Sequence, residues 1–241
     1  MSTLNLLYQR SYPINDKIRI MIPTVYDVVA NEDDYYGLVH LITAMPIDLM
    51  CQLDDLGIDF SAINDYELFL MLVFPTLQQA DTHLIFGDLD LSKFEYAVNE
   101  RTGMAVLVDR ENDIVIDRPI FGKIAGTLRK IHNLKKDTRK PGNAEAQKYM
   151  LERARKKLAR QKNKVNDSQL ETLIVALVNT EQFKYDFDTV LGLTIYQFNE
   201  SFQQIANKIE YDNRMHGVYA GTVDVKSLSH DDLTWLTHTK N

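Results

Sequence analysis

Residues 94–116 read FEYAVNERTGMAVLVDRENDIVI and set the fold class of the chain. Three short runs rich in β-branched and aromatic residues are separated here by polar turns. The runs are residues 94–98, 104–108 and 114–116. Residues 84–86 add a further apolar run that is interpreted as a strand. Because so few short strands are not stable alone, they must pack on helices. The sequence therefore predicts an α+β fold, mainly helical, with a small antiparallel β-sheet inserted around residues 83–119.

Helix start signals lie on both sides of this sheet. An N-cap side chain followed three positions later by an acid or a glutamine satisfies backbone N–H groups that open a helix. The pairs are Thr24 with Asp27, Asn64 with Glu67, Ser168 with Glu171, and Thr194 with Gln197. Apolar residues at helical spacing follow each pair, so each predicts a helix. Pro75 is expected to close or kink the second helix, Gly217 to end the last one, and Trp235 to dock on the helical body.

The charge of the chain reverses in one block. Residues 123–164 contain 15 Lys and Arg against 3 Asp and Glu, although the whole chain has a net charge of −7. We call this segment the basic block. Such asymmetry indicates either an element that meets a partner or one that folds back on the acidic remainder. Composition alone leaves both alternatives open.

The basic block divides into two predicted helices. Residues 119–132 place apolar side chains on one face, which is typical of a helix packed on a core. A turn at residues 139–143 follows. Residues 144–164 have high helix propensity but few large apolar side chains, so we expect an exposed helix. The chain is therefore divided into a helical N-terminal region with a small β-hairpin sheet (1–122), a basic helical segment (123–164) and a helical C-terminal region (165–241).

The sequence predicts no enzyme activity. Asp88 and Asp90 superficially resemble the nucleophile loop of haloacid-dehalogenase-like phosphotransferases, but the parallel sheet of that fold is not predicted. A calcium loop starting at Asp88 would need Gly at Lys93 and Glu at Asn99. The six histidines lack metal-site spacing, and no glycine-rich phosphate loop occurs. We therefore expect no catalytic residues, no metal site and no cofactor.

The cysteine content, the first residues and the longest apolar run predict where in the cell the protein resides. The single cysteine, Cys51, cannot form an internal disulfide, and it lies in an apolar stretch that favours a small core residue in a reducing cytoplasm. The first residues lack the pattern of a secretory signal. The longest apolar run, residues 68–74, is too short to span a bilayer. We expect a soluble intracellular protein that does not bind membranes.

The polar half of the basic block is the candidate functional surface. Its predicted partner-binding residues are Arg153, Arg155, Lys156, Lys157, Arg160, Lys162 and Lys164. These side chains could contact phosphates, with Tyr149 against a base. Nucleic-acid binding is the weaker alternative because no recognition motif, interleaved aromatic residues or basic total charge accompanies them. An acidic protein surface is the preferred partner.

Two regions resemble proteins of the tail-gene modules of tailed bacteriophages and prophages of Gram-positive bacteria. The first region carries IPTVYD (22–27), DYY (34–36), LITAMPIDL (41–49), GIDF (57–60) and NDYELF (64–69). It is similar to the N-terminal part of tail-assembly chaperone-like proteins. The second region, residues 173–235, carries LTIYQFNE (193–200), YD (211–212) and YAGTVD (219–224). It looks like the C-terminal part of related phage proteins.

The resemblance implies a protein that binds other phage tail proteins in the host cytoplasm. The implied partners are the tape-measure and tail-tube proteins, with this chain as their assembly chaperone. Such chaperones are often smaller, and the sheet and the basic block are additions to their pattern. The alternatives are a structural component retained in the virion tail or baseplate, and a nucleic-acid-binding protein. The sequence leaves the oligomeric state undetermined.

Overall fold

Short helices and two small sheets alternate through the first half of the chain, and longer helices form the second half. The computed structural model describes residues 3–161 and 168–236. The helices are α1 (Thr3–Tyr8), α2 (Val25–Val29), α3 (Glu32–Thr43), α4 (Met50–Asp55), α5 (Asp65–Leu68), α6 (Phe74–Leu77), α7 (His83–Phe86), α8 (Arg118–Ile131), α9 (Ala144–Gln161), α10 (Gln169–Val178), α11 (Phe187–Val190) and α12 (Ile195–Tyr219). The strands are β1 (Ser11–Pro13), β2 (Arg19–Met21), β3 (Glu95–Val98), β4 (Ala105–Asp109) and β5 (Ile114–Ile116). The predicted α+β, mainly helical class is confirmed.

The predicted sheet is a meander of three antiparallel strands in the order β3-β4-β5. Leu107 pairs with Tyr96 on one side and with Ile116 on the other. A separate hairpin pairs β1 with β2. The strand predicted at residues 84–86 is wrong, because these residues form α7. The Thr82 carbonyl accepts hydrogen bonds from the backbone N–H groups of residues 85 and 86, which starts a helical turn instead of a strand.

The main core lies between one face of the sheet and helices α3 and α8. Phe121 stacks on Phe69 with ring centroids 4.3 Å apart, and both side chains are buried. The Tyr66 hydroxyl donates to the Ile116 carbonyl at 2.9 Å and to the Ala105 carbonyl at 3.1 Å. The start of α5 is therefore tied to the backbone of two strands.

The helix that contains Pro75 continues past it to Leu77 and does not close there, although closure was one of the two predicted effects. Residues Phe69–Val73 form a π-helical turn directly after α5, and Pro75 occupies the first turn of α6. Proline has no N–H to donate and its ring clashes with a carbonyl of the preceding helical turn. The wider π turn accommodates both effects at this junction.

Helix α8 belongs to the main core over its whole length. Asp117 caps it by accepting a hydrogen bond from the Ile120 N–H, and six of its residues are buried. The predicted helix at 119–132 is thus confirmed. The division predicted between residues 122 and 123 falls inside this helix.

The C-terminal helices share the core of the N-terminal half. Thr24 and Thr194 form an isolated β-bridge, and each caps a helix as predicted. The Glu32 carboxylate accepts from the Ser168 hydroxyl and from the Leu170 N–H, so an acid of α3 caps α10. The buried residues of α10 to α12 join the same apolar cluster as those of α3 and α8.

Two predictions concern the C-terminal end, and the one about Gly217 is wrong. Gly217 does not end α12, which continues to Tyr219; a Cβ at Gly217 would lie 2.8 Å from a methyl of Val223. The absence of a side chain at Gly217 therefore allows the segment that follows α12 to pack closely against the helix. Trp235 is 37% exposed and belongs to neither apolar cluster. The segment before it is held along α12 by Arg214, which lies 3.2 Å from the Asp232 carboxylate.

A second, smaller apolar cluster lies beside the main core and positions the surface described next. Its buried members are Ala44, Ile47, Leu49, Leu53, Phe60 and Leu68. Met150 and Leu151 of α9 pack against it from outside. Helix α9 thus rests on the molecule through this cluster.

Candidate partner-binding surface

Helix α9 forms from local signals. Asn143 accepts a hydrogen bond from the Ala146 N–H at 2.8 Å, which caps the first turn, and the helix is rich in Ala, Leu, Lys and Arg. No residue from 144 to 160 is fully buried. The expected exposed helix is therefore present, and intrinsic propensity contributes more to it than burial does.

Polar contacts fix α9 along α4. The Gln147 side chain donates to Asp59 at 2.8 Å. Arg155 donates to Asp54 at 2.7 Å and to Asp55 at 2.6 Å. These two carboxylates hold the pKa of the Arg155 guanidinium above its usual value. Arg155, predicted to bind a partner, is thus engaged within its own chain.

The loop before α9 is fastened in the same way. Lys136 lies 2.7 Å from Asp65, and Lys140 donates to the Ser61 carbonyl at 3.3 Å. Burial disfavours the charge of Asp65, but Lys136, Arg129 and a backbone N–H together outweigh it, so the pKa of Asp65 lies below its usual value. This part of the basic block folds back on the acidic remainder, which was one of the two alternatives left open by composition.

Four of the predicted partner-binding residues remain available. Arg153, Lys156, Lys157 and Arg160 are exposed, and none of them forms an ion pair within residues 3–161 and 168–236. We call these four residues the basic ridge. Spacings of three and four residues place them, with the exposed Tyr149, on neighbouring positions of α9. Lys162 and Lys164 lie outside the described residues.

A groove runs between α9 and the body beneath it. It has a volume of about 940 Å³ and is lined by the basic ridge together with His40, Asp48, Asp137, Arg139 and Glu152. Its apolar lining consists of Ile47, Met50, Cys51, Tyr149, Met150 and Leu158. We call it the α4–α9 groove. Burial raises the pKa of the Cys51 thiol, so this side chain contributes apolar surface to the groove.

Of the two acids considered as a phosphotransferase loop, Asp90 has a structural role, and Asp88 has no hydrogen-bond or ion-pair partner among the residues that the structure describes. Asp90 accepts from the Ser92 N–H at 2.9 Å and from its hydroxyl at 2.6 Å, which caps a short 3₁₀ turn and lowers the pKa of Asp90. Asp88 is exposed in a cleft of about 960 Å³ that Lys93 also lines. Across the described part of the chain, no three His, Cys, Asp or Glu side chains are grouped to hold a metal ion.

The sequence predicted the cations of this surface, but it did not predict the acidic partners of Arg155 or the apolar residues that line the groove. Asp54 and Asp55 close the short helix α4, and their adjacency in an otherwise apolar segment was the available signal. The apolar lining from α4 could not be assigned to a groove because nothing in the sequence places α9 over α4. None of the described helices combines the length and apolar content that a bilayer span requires.

Comparison with known proteins gives one match. Residues 160–240 match the family model described as the YomV second domain, a family associated with bacteriophages and prophages. The match covers roughly a third of the chain, from the end of α9 through α10 to α12. No curated protein and no solved structure matches the chain. The C-terminal third is therefore similar to a phage-associated domain, and Arg160 alone among the residues that line the α4–α9 groove falls within the match.

Proposed function

We propose that this chain is a non-enzymatic phage protein that acts in tail assembly by binding other phage proteins in the host cytoplasm. The observation that carries the proposal is the basic ridge, four exposed cations without ion-pair partners among the described residues. The proposed partners are the tape-measure and tail-tube proteins, for which the chain would act as a chaperone.

The electrostatics of α9 favour an external partner. Like charges three and four residues apart on a helix repel each other and destabilise it. The basic ridge places such cations side by side. Among the cations of α9, Arg155 is the one that forms ion pairs with the described part of the chain, and its partners are Asp54 and Asp55 of α4. A partner with acidic side chains would remove this repulsion, and its association would be accelerated by the positive field.

The phage assignment has separate support. The match at residues 160–240 agrees with the resemblance of residues 173–235 to phage proteins. The tail-assembly role depends on the further resemblance of residues 22–69 to tail-assembly chaperone-like proteins. It is the finer part of the proposal and needs its own experiment.

Co-expression of the tagged chain with the tape-measure and tail-tube proteins of the same phage tests the proposal. We expect the identified partner to co-purify, and to be lost when the basic ridge is changed to Glu at all four positions. A matched control carries the same charge change at Arg101, Arg118, Lys123 and Lys226, which are exposed and lie away from the groove. Both variants should melt near the wild-type temperature.

Three outcomes would redirect the proposal. Retention of the partner by the ridge variant would remove the basic ridge from the interaction. Mass spectrometry that finds the chain in purified virions would favour the structural tail or baseplate component. Strongly salt-dependent DNA retention that the ridge variant loses, without capture of tail proteins, would favour nucleic-acid binding.

A further inference from the structure

The α4–α9 groove combines two kinds of surface. Ile47, Met50 and Cys51 line it from the body, and Leu158 lines it from α9 and is 40% exposed. The basic ridge lines the same groove. A ligand that fills it must therefore offer both apolar side chains and negative charge.

The carboxylates of the groove argue against a nucleic acid. Asp48, Asp137 and Glu152 line it together with five cations, the basic ridge and Arg139. A phosphate backbone carries negative charge at every nucleotide and would be repelled wherever it passed these acids. A peptide can instead place its acidic residues against the ridge and other residues against the acids.

The walls of the groove argue for a helical ligand. They are formed mainly by α9, whose backbone groups are engaged within the helix, with Met50 and Cys51 from the first turn of α4, and no residue of the described strands lines the groove. An extended peptide would find no ladder of free N–H and C=O groups to pair with. A helix satisfies its own backbone hydrogen bonds and presents side chains at intervals of three and four residues.

We propose that the α4–α9 groove binds an amphipathic helix of a partner protein, with its apolar stripe against Met50 and Leu158 and its acidic face against the basic ridge. This inference rests on the proposed function and specifies the segment of the partner that is recognised. It predicts that binding depends on apolar contact as well as on charge.

A designed peptide tests the inference on the full chain. The probe is a fluorescein-labelled peptide of about 18 residues with Leu on one helical face and Glu on the other. Because isolated helices of this length are only marginally stable in water, a side-chain staple holds the peptide helical. A scrambled peptide of the same composition lacks the apolar stripe. Fluorescence polarisation should show binding of the amphipathic peptide and at least about tenfold weaker binding of the scrambled one.

Two variants separate the apolar from the charged contribution. Leu158→Gln should weaken binding by about threefold to tenfold, because part of one leucine side chain is buried by the ligand. Arg153→Glu with Lys157→Glu should weaken it by more, chiefly at low salt. Val175→Gln on α10 and Lys148→Glu on α9 are the matched controls, since both residues are exposed outside the groove and should leave binding unchanged.

A cysteine placed in the groove reports the position of the ligand. Because Cys51 is buried, the reporter is Ala154→Cys, at a half-buried position that lines the groove, in a chain that also carries Cys51→Ala. A peptide in the groove should slow alkylation of this thiol by a maleimide, and the scrambled peptide should not. Equal binding of both peptides, unchanged binding by Leu158→Gln, or binding without protection of the thiol at position 154 would each overturn the inference. Preferential binding of a DNA duplex that displaces the peptide would do the same.

Failure of this inference differs from failure of the proposed function. If tail proteins are captured through the basic ridge but Leu158→Gln has no effect on their capture, the proposed function stands and the amphipathic-helix inference falls. If the peptide binds as expected and no tail protein is captured, the groove is a helix receptor for another partner and the tail-assembly role falls.

Discussion

Helix α8 overlaps the start of the basic block and α9 lies within it, and each helix contains four more Lys and Arg than Asp and Glu. Their positions in the molecule nevertheless differ. Helix α8 buries six residues in the main core, whereas α9 has none that is fully buried from 144 to 160. The difference follows from the apolar residues. In α8, Phe121, Ile124, Leu128 and Ile131 recur at spacings of three and four. In α9 the large apolar residues are three neighbours at 149–151 and the single Leu158, which form no such repeat.

The two helices also differ in how their charges are used. In α8, Arg129 donates to the Thr43 carbonyl at 2.6 Å and so joins the end of α3 to the core. In α9, one arginine attaches the helix and the basic ridge remains without ion-pair partners in the described structure. Equal net charge therefore identifies neither helix as a binding element. The charges left over after internal contacts are the ones available to a partner.

The largest expected difference between the helices is in the free energy of unfolding. Phe121→Ala should lower it by about 3–5 kcal/mol, because a buried ring that stacks on Phe69 is replaced by a cavity. Tyr149→Ala removes a ring of similar size from α9, where it is 65% exposed, and should change it little. Urea unfolding of both variants measures the two values. A comparable loss in Tyr149→Ala would mean that α9 is part of the core.

Acid should destabilise the end of α8 through His132. Its Nε2 lies 3.0 Å from the Tyr35 hydroxyl, and burial lowers the pKa of His132 from 6.5 to about 3. The unfolded chain therefore binds a proton below about pH 6.5 that the folded chain does not, so stability is lost as pH falls through this window. The slope approaches about 1.4 kcal/mol per pH unit.

The matched variant is His132→Gln, whose amide oxygen can accept from Tyr35 and does not titrate. Between about pH 6 and about pH 4, wild type should lose about 2 kcal/mol more than this variant, because the carboxylates titrate in both. Urea unfolding across this range measures the difference. Parallel pH profiles would show that His132 does not remain neutral in the folded protein.

The buried hydroxyl of Thr127 in α8 should lower the free energy of unfolding by less than protonation of His132 does. Thr127 is fully buried, and its hydroxyl has no hydrogen-bond partner within the described ranges 3–161 and 168–236. Thr127→Val replaces this group by a methyl of similar size and should raise the free energy of unfolding by about 1 kcal/mol. Thermal unfolding followed by circular dichroism checks the direction. A lower melting temperature would indicate that the hydroxyl has a partner, such as a water molecule.

The sequence predicted those parts of the fold that local chemistry determines. The caps at Thr24, Asn64 and Thr194 are formed as expected, each with a reciprocal bond from the residue three positions later. Residues 84–86 were interpreted wrongly because a short apolar run fits a buried helical turn as well as a strand. Gly217 was interpreted as a helix end because glycine is common there, and only the position of Val223 shows the other reason for it.

The groove was only partly predictable. The cations of α9 are evident from composition, and the exposure of the helix follows from its few apolar residues. The pairing of Arg155 with Asp54 and Asp55 joins positions about a hundred residues apart, and no local pattern encodes it. Tertiary contacts of this kind decide which cations of α9 remain available to a partner. The sequence alone therefore could not separate Arg155 from the residues of the basic ridge.

The smallest expected effect concerns Arg155 and is local. Because its contacts with Asp54 and Asp55 are exposed to solvent, Arg155→Ala should leave the free energy of unfolding within the error of measurement. It should, however, loosen α9 on α4, since few other contacts hold the helix there. Amide hydrogen exchange should therefore accelerate in residues 144–161 and stay unchanged in α8. High salt should have the same effect on wild type, because exposed charges are screened.

Arg110→Ala is the control, since it removes an exposed ion pair with Glu95 at 2.7 Å on the sheet and should leave α9 unaffected. If exchange in α9 is the same in all three proteins, its apolar contacts through Met150 and Leu151 hold the helix without Arg155. That cation would then be free to join the basic ridge in binding a partner.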